Sequence, residues 1–232
     1  MTALIFDTET HKLHGDIIEA AAMEVVFPQI SADILIIPTM FDFTKRYKPS
    51  EPISLGAMAV HHIVDEDLVK CPSFKTFKWP KENIQYLIGH NIDYDIAAIA
   101  RCGVDVSHIK PICTLALARK TWPDAEAHNI SALIYMISQG SSKARELLKG
   151  AHRADADIIL TANILMHIVY HLNIHDIEEL YRVSEEARIP TTINFGKHKG
   201  TAIAELPKDY IQWLLRQDEL DVYLRKALES AF

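Results

Sequence analysis

"LIFDTET", residues 4–10, is the stretch on which the fold turns. The apolar run Leu4-Ile5-Phe6 ends on Asp7, Thr8, Glu9 and Thr10. Successive side chains in a strand alternate faces, so Asp7 and Glu9 project to the same side. Two carboxylates that close repel, and burial sharpens the repulsion. A strand ending in this way needs either a cation or abundant water at its tip. A strand that merely leaves the core for solvent has the same letters, so the rest of the chain must decide.

The chain has 232 residues, 49% of them hydrophobic and 24% charged, enough for a sizeable core and one domain with an appendage. Few glycines and prolines argue against disorder. No cationic stretch precedes an apolar run at the start, and no segment approaches the roughly 20 apolar residues of a membrane span, so no membrane partner is expected. Cys71, Cys102 and Cys113 are odd in number and include no CxxC pair. They read as small core hydrophobes in a reducing compartment, and the expected location is the cytoplasm. A formal charge of −7 speaks against a broad nonspecific grip on nucleic acid. Local contact stays open through Lys45–Arg46–Lys48, Arg119–Lys120, His152–Arg153 and Lys197–His198–Lys199.

Residues 3–6, 17–27 and 33–48 read as three strands in an antiparallel meander, the third with a break at Pro38 that suits a bulge or an edge. "SLGAMAVHHI" (54–63) reads as a short helix capped by Ser54. "IQYLIGH" (84–90) is a fourth strand that runs into a helix closed by Gly103. "IKPICT" (109–114) is a fifth strand, and helical patterns follow at 114–121, 129–138 and 152–171. The expected architecture is α/β, a mixed sheet flanked by helices. It divides into a main domain at 1–175, a charged linker helix at 176–190 and a small C-terminal α+β region at 191–232. That last region holds a strand-like "TTINF", a basic turn "GKHKG" and helical patterns around 207–217 and 221–230.

Two further acidic motifs join Asp7-x-Glu9. "GHNIDYD" (89–95) closes a strand and opens a helix with Asp93 and Asp95; "AHRADAD" (151–157) opens the long apolar helix. Acids in a first helical turn also serve as caps or dipole partners. His152 has no such explanation. Helix positions five apart differ by roughly 140°, so His152 and Asp157 converge only if His152 lies on the loop before the helix. Asp155 lies closer in helical phase, and spacing alone leaves both acids open. Hard carboxylate oxygens from separated segments suit Mg²⁺ or Mn²⁺ rather than zinc. Two such ions would clamp an in-line attack on phosphorus, one activating water and the other stabilising the leaving oxygen. His152 would take the proton of that water.

In this order, "FDTET", "HNIDYD" and "HRADAD" resemble the three motifs of the DnaQ-like DEDDh 3′→5′ exonucleases. The resemblance implies an RNase H-like sheet, with Asp7, Glu9, Asp95 and Asp157 as ligands of two Mg²⁺ ions for which Mn²⁺ may substitute. It implies His152 as general base and selects Asp157 over Asp155. Asp7 would bridge both ions, Glu9 and Asp157 would complete the water-activating site, and Asp95 would support the second ion. "AMAVHHI" (57–63), "ICTLALARKTWP" (112–123), "HNISAL" (128–133), "NFGKHKG" and "DYIQWLL" resemble one member of the family, so the likeness covers essentially the whole chain. One departure is visible. The family usually has glycine where this chain has Lys12, so the turn before Leu13 either carries a strained positive φ at Lys12 or gains a phosphate contact there.

The implied activity is release of nucleoside 5′-monophosphates from DNA 3′ ends, single-stranded or duplex, in repair or end processing, by a monomer or homodimer. RNA is the alternative substrate; a non-catalytic nucleic-acid adaptor and a phosphodiesterase on small nucleotides are the competing classes. Expected substrate contacts are the backbones of Thr8 and Thr10, Leu13 and Met58 against the last bases, and His61 and His90 toward phosphate or sugar. Tyr94 is expected to pack under Asp95, and "GKHKG" to touch a phosphate backbone.

Overall fold

A computed structural model describes residues 2–26 and 37–232. Strands β1 (Thr2–Thr10), β2 (Ile17–Val26) and β3 (Ile37–Arg46) form the antiparallel meander. Helices α1 (Leu55–His61) and α2 (Asp65–Leu68) follow. Strand β4 (Ile84–Gly89) pairs parallel to β1 and leads into α3 (Asp93–Arg101). Strand β5 (Lys110–Cys113) pairs parallel to β4, giving a mixed five-stranded sheet of order β3-β2-β1-β4-β5. β3 is an edge strand, where proline is tolerated, and the β2–β3 register shifts beside Pro38. Residues 33–36 of the expected third strand lie outside the described residues.

After β5 come α4 (Thr114–Thr121), α5 (Ile130–Ile137), α6 (Ser142–Leu147) and α7 (Ala154–Leu172). α7 is apolar around most of its circumference because it lies between β1 and β2 on one side and α4 and α5 on the other. Its Ile158, Leu165 and Ile168 join Ala3, Ile5, Ala21 and Met23 in the main core. Each such side chain contributes roughly 1.5–3 kcal/mol by leaving water. Among the described residues, no single helix is long and apolar enough to cross a membrane.

On the opposite face of β1, Phe6 meets Phe77 and Trp79 edge-on. A smaller cluster of Ile18, Ile53, Ile63 and Leu68 forms where α1 and α2 pack. α1 begins, as the sequence suggests, where the Ser54 hydroxyl accepts the Ala57 N–H.

The chain divides into two compact units, Met1–Ser184 and Glu185–Phe232, with the division inside α8 (Ile177–Ala187). In the second unit, α9 (Lys208–Leu215) and α10 (Val222–Ala231) enclose Ile193, Ile203, Ile211, Leu214, Leu224 and Leu228. The strand expected at "TTINF" is present only as a single bridge, Thr192 to Ala202. Its partner segment turns at once into the 3-10 helix Ile203–Glu205, so pairing cannot propagate.

Candidate active site

Alternation along β1 puts Ala3, Ile5, Asp7 and Glu9 on the face that α7 covers, with Thr8 and Thr10 on the other. Toward the strand's end, core contacts give way to carboxylates. The first turn of α7 lies above them, and ligand oxygens of Asp7, Glu9 and Asp157 come within 4.8 Å of one another. Of the two acids that spacing left open, Asp157 is 8% exposed and joins this cluster. Asp155 instead bonds Arg153 at 2.8 Å.

Asp95 arrives on the other side of β1. It accepts both the Thr8 N–H (2.9 Å) and the Thr8 hydroxyl (2.6 Å), so β1 itself fixes its position. Gly89 makes this approach possible: a Cβ there would stand 2.9 Å from the Phe6 carbonyl and 2.7 Å from Ile92 Cδ1. The structure therefore gathers three of the four expected acids in one cluster and bonds the fourth to the residue between two of them.

His152 lies on the loop before α7, exposed, with φ at +66°. Its backbone N–H points to Asp157 Oδ1 at 3.3 Å. His152 and the three clustered acids line one cleft of about 530 Å³, to which Asn129 and Ser131 at the start of α5 also contribute.

Crowding without a counter-charge shows in the acidities. Burial, reinforced by Asp95, Glu9, Asp157 and Glu19, holds Asp7 well above the usual carboxylate range. Burial pushes Glu9 up to about 8, with Asp157, Glu19 and Asp95 adding to it. Burial lifts Asp95 to about 7 against its Thr8 hydrogen bonds. Asp157 rises to about 6, again by burial, opposed by the His152 N–H and charge. Among the described residues, no lysine or arginine pairs with any of the four. A donor set of hard oxygens only, each short of positive charge, fits a hard divalent cation.

A neighbouring cleft of about 390 Å³ shares Thr8 and Glu9 with the first. Ala57, Val60 and His61 line it from one face of α1, as their i, i+3, i+4 spacing requires. Met58, expected there, packs instead against the cluster of Ile18, Ile53, Ile63 and Leu68. Leu13 stands on the rim, 77% exposed. His61 is buried; its Nδ1 accepts the Ile63 N–H at 3.0 Å, and Nε2 is itself enclosed. Burial lowers its pKa and favours the neutral ring. The Thr10 hydroxyl bonds the Lys12 carbonyl at 2.9 Å and the Tyr94 hydroxyl. Tyr94 thus lines this cleft and ties α3 to the end of β1.

His90 lines the acidic cleft, but its ring nitrogens are engaged within the protein. Nε2 lies 2.7 Å from the His128 carbonyl and Nδ1 3.1 Å from the Thr114 hydroxyl. Burial lowers its pKa to about 4, so the ring is neutral and serves as a strut between strand and helices.

The turn after Glu9 resolves the departure at Lys12. The left-handed residue there is His14, at φ +57°, and not Lys12. Lys12 Nζ pairs with Glu51 at 2.5 Å, and its carbonyl accepts the Gly15 N–H at 2.8 Å.

No motif marks Glu19, which lies in an otherwise apolar stretch of β2. Glu19 is 2% exposed and stands opposite Glu9 in the β1–β2 register. One oxygen accepts Arg46 Nε at 2.8 Å, and the other accepts the Ala154 N–H at 3.1 Å in the first turn of α7. It thereby anchors the helix end that carries Asp157. An acid paired in register with Glu9 inside an apolar strand was the available signal.

Residues 4–165 match the family model described as exonuclease, of the RNase T type. Residues 186–225 match a second model, whose description names a quorum-sensing-regulated virulence factor. Two curated relatives, both called Exodeoxyribonuclease 10, come from Escherichia coli strain K12 and from Escherichia coli O6:H1 strain CFT073. Each is 28% identical over 229 residues, covering 97% of this chain and 96% of its own length. Among solved structures, "Exonuclease X in complex with 5′ overhanging duplex DNA" is similar at a TM-score of 0.59 and 25% identity. The match covers 78% of this chain and 99% of that one.

Proposed function

The chain belongs to the exonuclease family whose model spans residues 4–165, and from that premise we propose a 3′→5′ exodeoxyribonuclease that releases nucleoside 5′-monophosphates. The observation that carries the reading is the meeting of Asp7, Glu9 and Asp157 in one cleft with the exposed His152. Family membership brings with it the use of divalent metal. Asp7, Glu9, Asp157 and Asp95 would hold two Mg²⁺ ions, or Mn²⁺ in their place, which supply Lewis acidity at phosphorus and offset the repulsion of the acids.

The remaining chemistry belongs to side chains. His152, free of an intramolecular ion pair among the described residues, would take the proton of the attacking water; its exposure on the loop that lines the cleft supports this role. The Thr8 N–H and hydroxyl hold Asp95 in place while the substrate enters. The second cleft accepts the terminal nucleotide: Leu13 and Val60 offer apolar contact, and His61 lines it as a neutral ring toward phosphate or sugar. Thr8 and Thr10 contribute backbone groups beside the 3′ end, the Thr8 carbonyl among them, since both hydroxyls and the Thr8 N–H are already bonded. The substrate is DNA, single-stranded or at duplex 3′ ends, in repair or end processing in the cytoplasm.

The test uses end-labelled single- and double-stranded DNA and RNA of matched sequence, each with Mg²⁺, Mn²⁺ or chelator. A ladder of mononucleotide loss on DNA, abolished by chelator, is expected. Faster loss from RNA would make the enzyme an exoribonuclease. Hydrolysis of dinucleotides or nitrophenyl esters without attack on strands would make it a small-nucleotide phosphodiesterase, and no hydrolysis at all would leave a binding protein.

A further inference from the structure

The core of the Glu185–Phe232 unit takes Ile211 and Leu214 from α9; Tyr210 packs against the edge of that core, and Trp213, three residues on, stands outside it. Their rings stack at 5.6 Å and 24°, and Trp213 is 53% exposed. The Gly196–Gly200 turn lies against them. His198 sits 4.4 Å from the Tyr210 ring, and Lys197 Nζ stands 5.4 Å over its face. Gly196 adopts φ +62°, and a Cβ there would meet the Tyr210 hydroxyl at 3.4 Å. Together, Gly196, Lys197, Asp209, Tyr210 and Trp213 line an open cleft of about 430 Å³. Lys199 is exposed on the same turn.

The chemistry narrows the occupant. A cationic ligand would meet Lys197, which already covers one aromatic face. An apolar protein surface would have to desolvate the lysines beside the rings. A flat π-system joined to an anionic backbone satisfies both elements, since bases stack on aromatic rings and lysines meet phosphates. Among the described residues, Asp209 is the one acid lining the cleft, against Lys197 and Lys199 on the turn.

We propose that the cleft between the Gly196–Gly200 turn and α9 is a second nucleic-acid site, which stacks a base of single-stranded DNA on the exposed Trp213, itself backed by Tyr210, and holds the phosphates with Lys197 and Lys199. This rests on DNA being the substrate. The site needs no divalent cation.

The test is binding of a fluorescein-labelled oligothymidylate of about 16 nucleotides to the full chain in chelator, followed by anisotropy. Trp213→Ala is expected to weaken binding about 10-fold, within the range for losing one stacked base, and Trp213→Phe to restore most of it. Lys197→Gln, an exposed change that leaves the core intact, should lower the slope of log K against log salt by about one unit of phosphate contact. Wild-type affinity and salt slope in both Trp213→Ala and Lys197→Gln would overturn the proposal. A wild-type protein that binds through Trp213 yet hydrolyses no DNA would leave the site standing and remove the substrate assignment. Hydrolysis of DNA with binding indifferent to both variants would do the reverse.

Discussion

The cleft at the end of β1 gathers Asp7, Glu9 and Asp157 within 4.8 Å, whereas the cleft beside α9 offers Trp213, Tyr210 and Lys197. The first is unfavourable until a cation arrives: its acids are half-buried or buried, mutually repelling and held above their ordinary pKa values. The second is already balanced, with a lysine over one ring and the other ring open to solvent. A site with unbalanced charge suits chemistry at a single linkage. A balanced and open one suits many weak contacts along a strand. The two should therefore respond to different conditions, the first to chelator and pH, the second to salt.

The contrast breaks most sharply at Asp157. Asp157→Asn is expected to lower kcat for mononucleotide release by about 10³-fold or more, because a neutral amide is a poor ligand in a hard-oxygen set. Binding of the labelled strand in chelator should persist. Retained activity would remove Asp157 from the chemistry, and loss of both binding and activity would mean that it serves the fold. His152→Ala should cost about 10²–10³ in kcat, the range for a general base, with the metal requirement unchanged. A variant with wild-type kcat would remove His152 from the mechanism.

Linkage gives a third prediction, at the level of stability. Glu9 has a folded pKa of about 8 against 4.5 for the free side chain. A carboxylate so raised stabilises the fold below about pH 4.5, and that contribution is lost as pH rises through 8. The metal-free protein should thus melt at progressively lower temperature from pH 5 to pH 8. Mg²⁺ at a hundredfold excess over Kd should return about 2.7 kcal/mol at the upper end. A melting temperature indifferent to Mg²⁺ at pH 8 would separate the acids from any cation.

Smaller effects belong to the supports. Glu19→Ala leaves the Arg46 guanidinium and the Ala154 N–H without their partner and should cost about 1–3 kcal/mol in stability. It should also lower kcat about 10-fold through a displaced Asp157. Equal kcat in the variant would confine Glu19 to stability. His90 works in the opposite pH direction from Glu9. Its pKa is depressed from 6.5 to about 4, so its contribution is present above pH 6.5 and lost as pH falls through 4. His90→Gln should flatten that acid-side loss in thermal melts.

Much of the acidic site could be read from residues 4–10 and 89–95, because a two-residue repeat fixes which strand side chains share a face. His152 was legible as a loop residue from the 140° offset to Asp157, and the choice between Asp155 and Asp157 came only from resemblance. Other features depend on contacts distant in sequence. Glu19 reads as an interruption of an apolar strand until β1 pairs with β2 and α7 brings Ala154 to it. Met58 and Val60 are equally apolar on paper, and only the packing of α1 decides which one faces the cleft. The glycine missing at Lys12 looked like strain because the sequence could not show that His14 takes the left-handed position. The bridge at Thr192 fell short of a strand because its partner turned away.

Anomalous diffraction from crystals of the full chain soaked in Mn²⁺ tests the central claim most directly. A Mn²⁺ peak in direct contact with carboxylate oxygens of Asp7, Glu9 and Asp157, absent in Asp157→Asn crystals, is the expected result. Soaked wild-type crystals with no peak at these three residues, from protein that still hydrolyses DNA in the same Mn²⁺ solution, would contradict it.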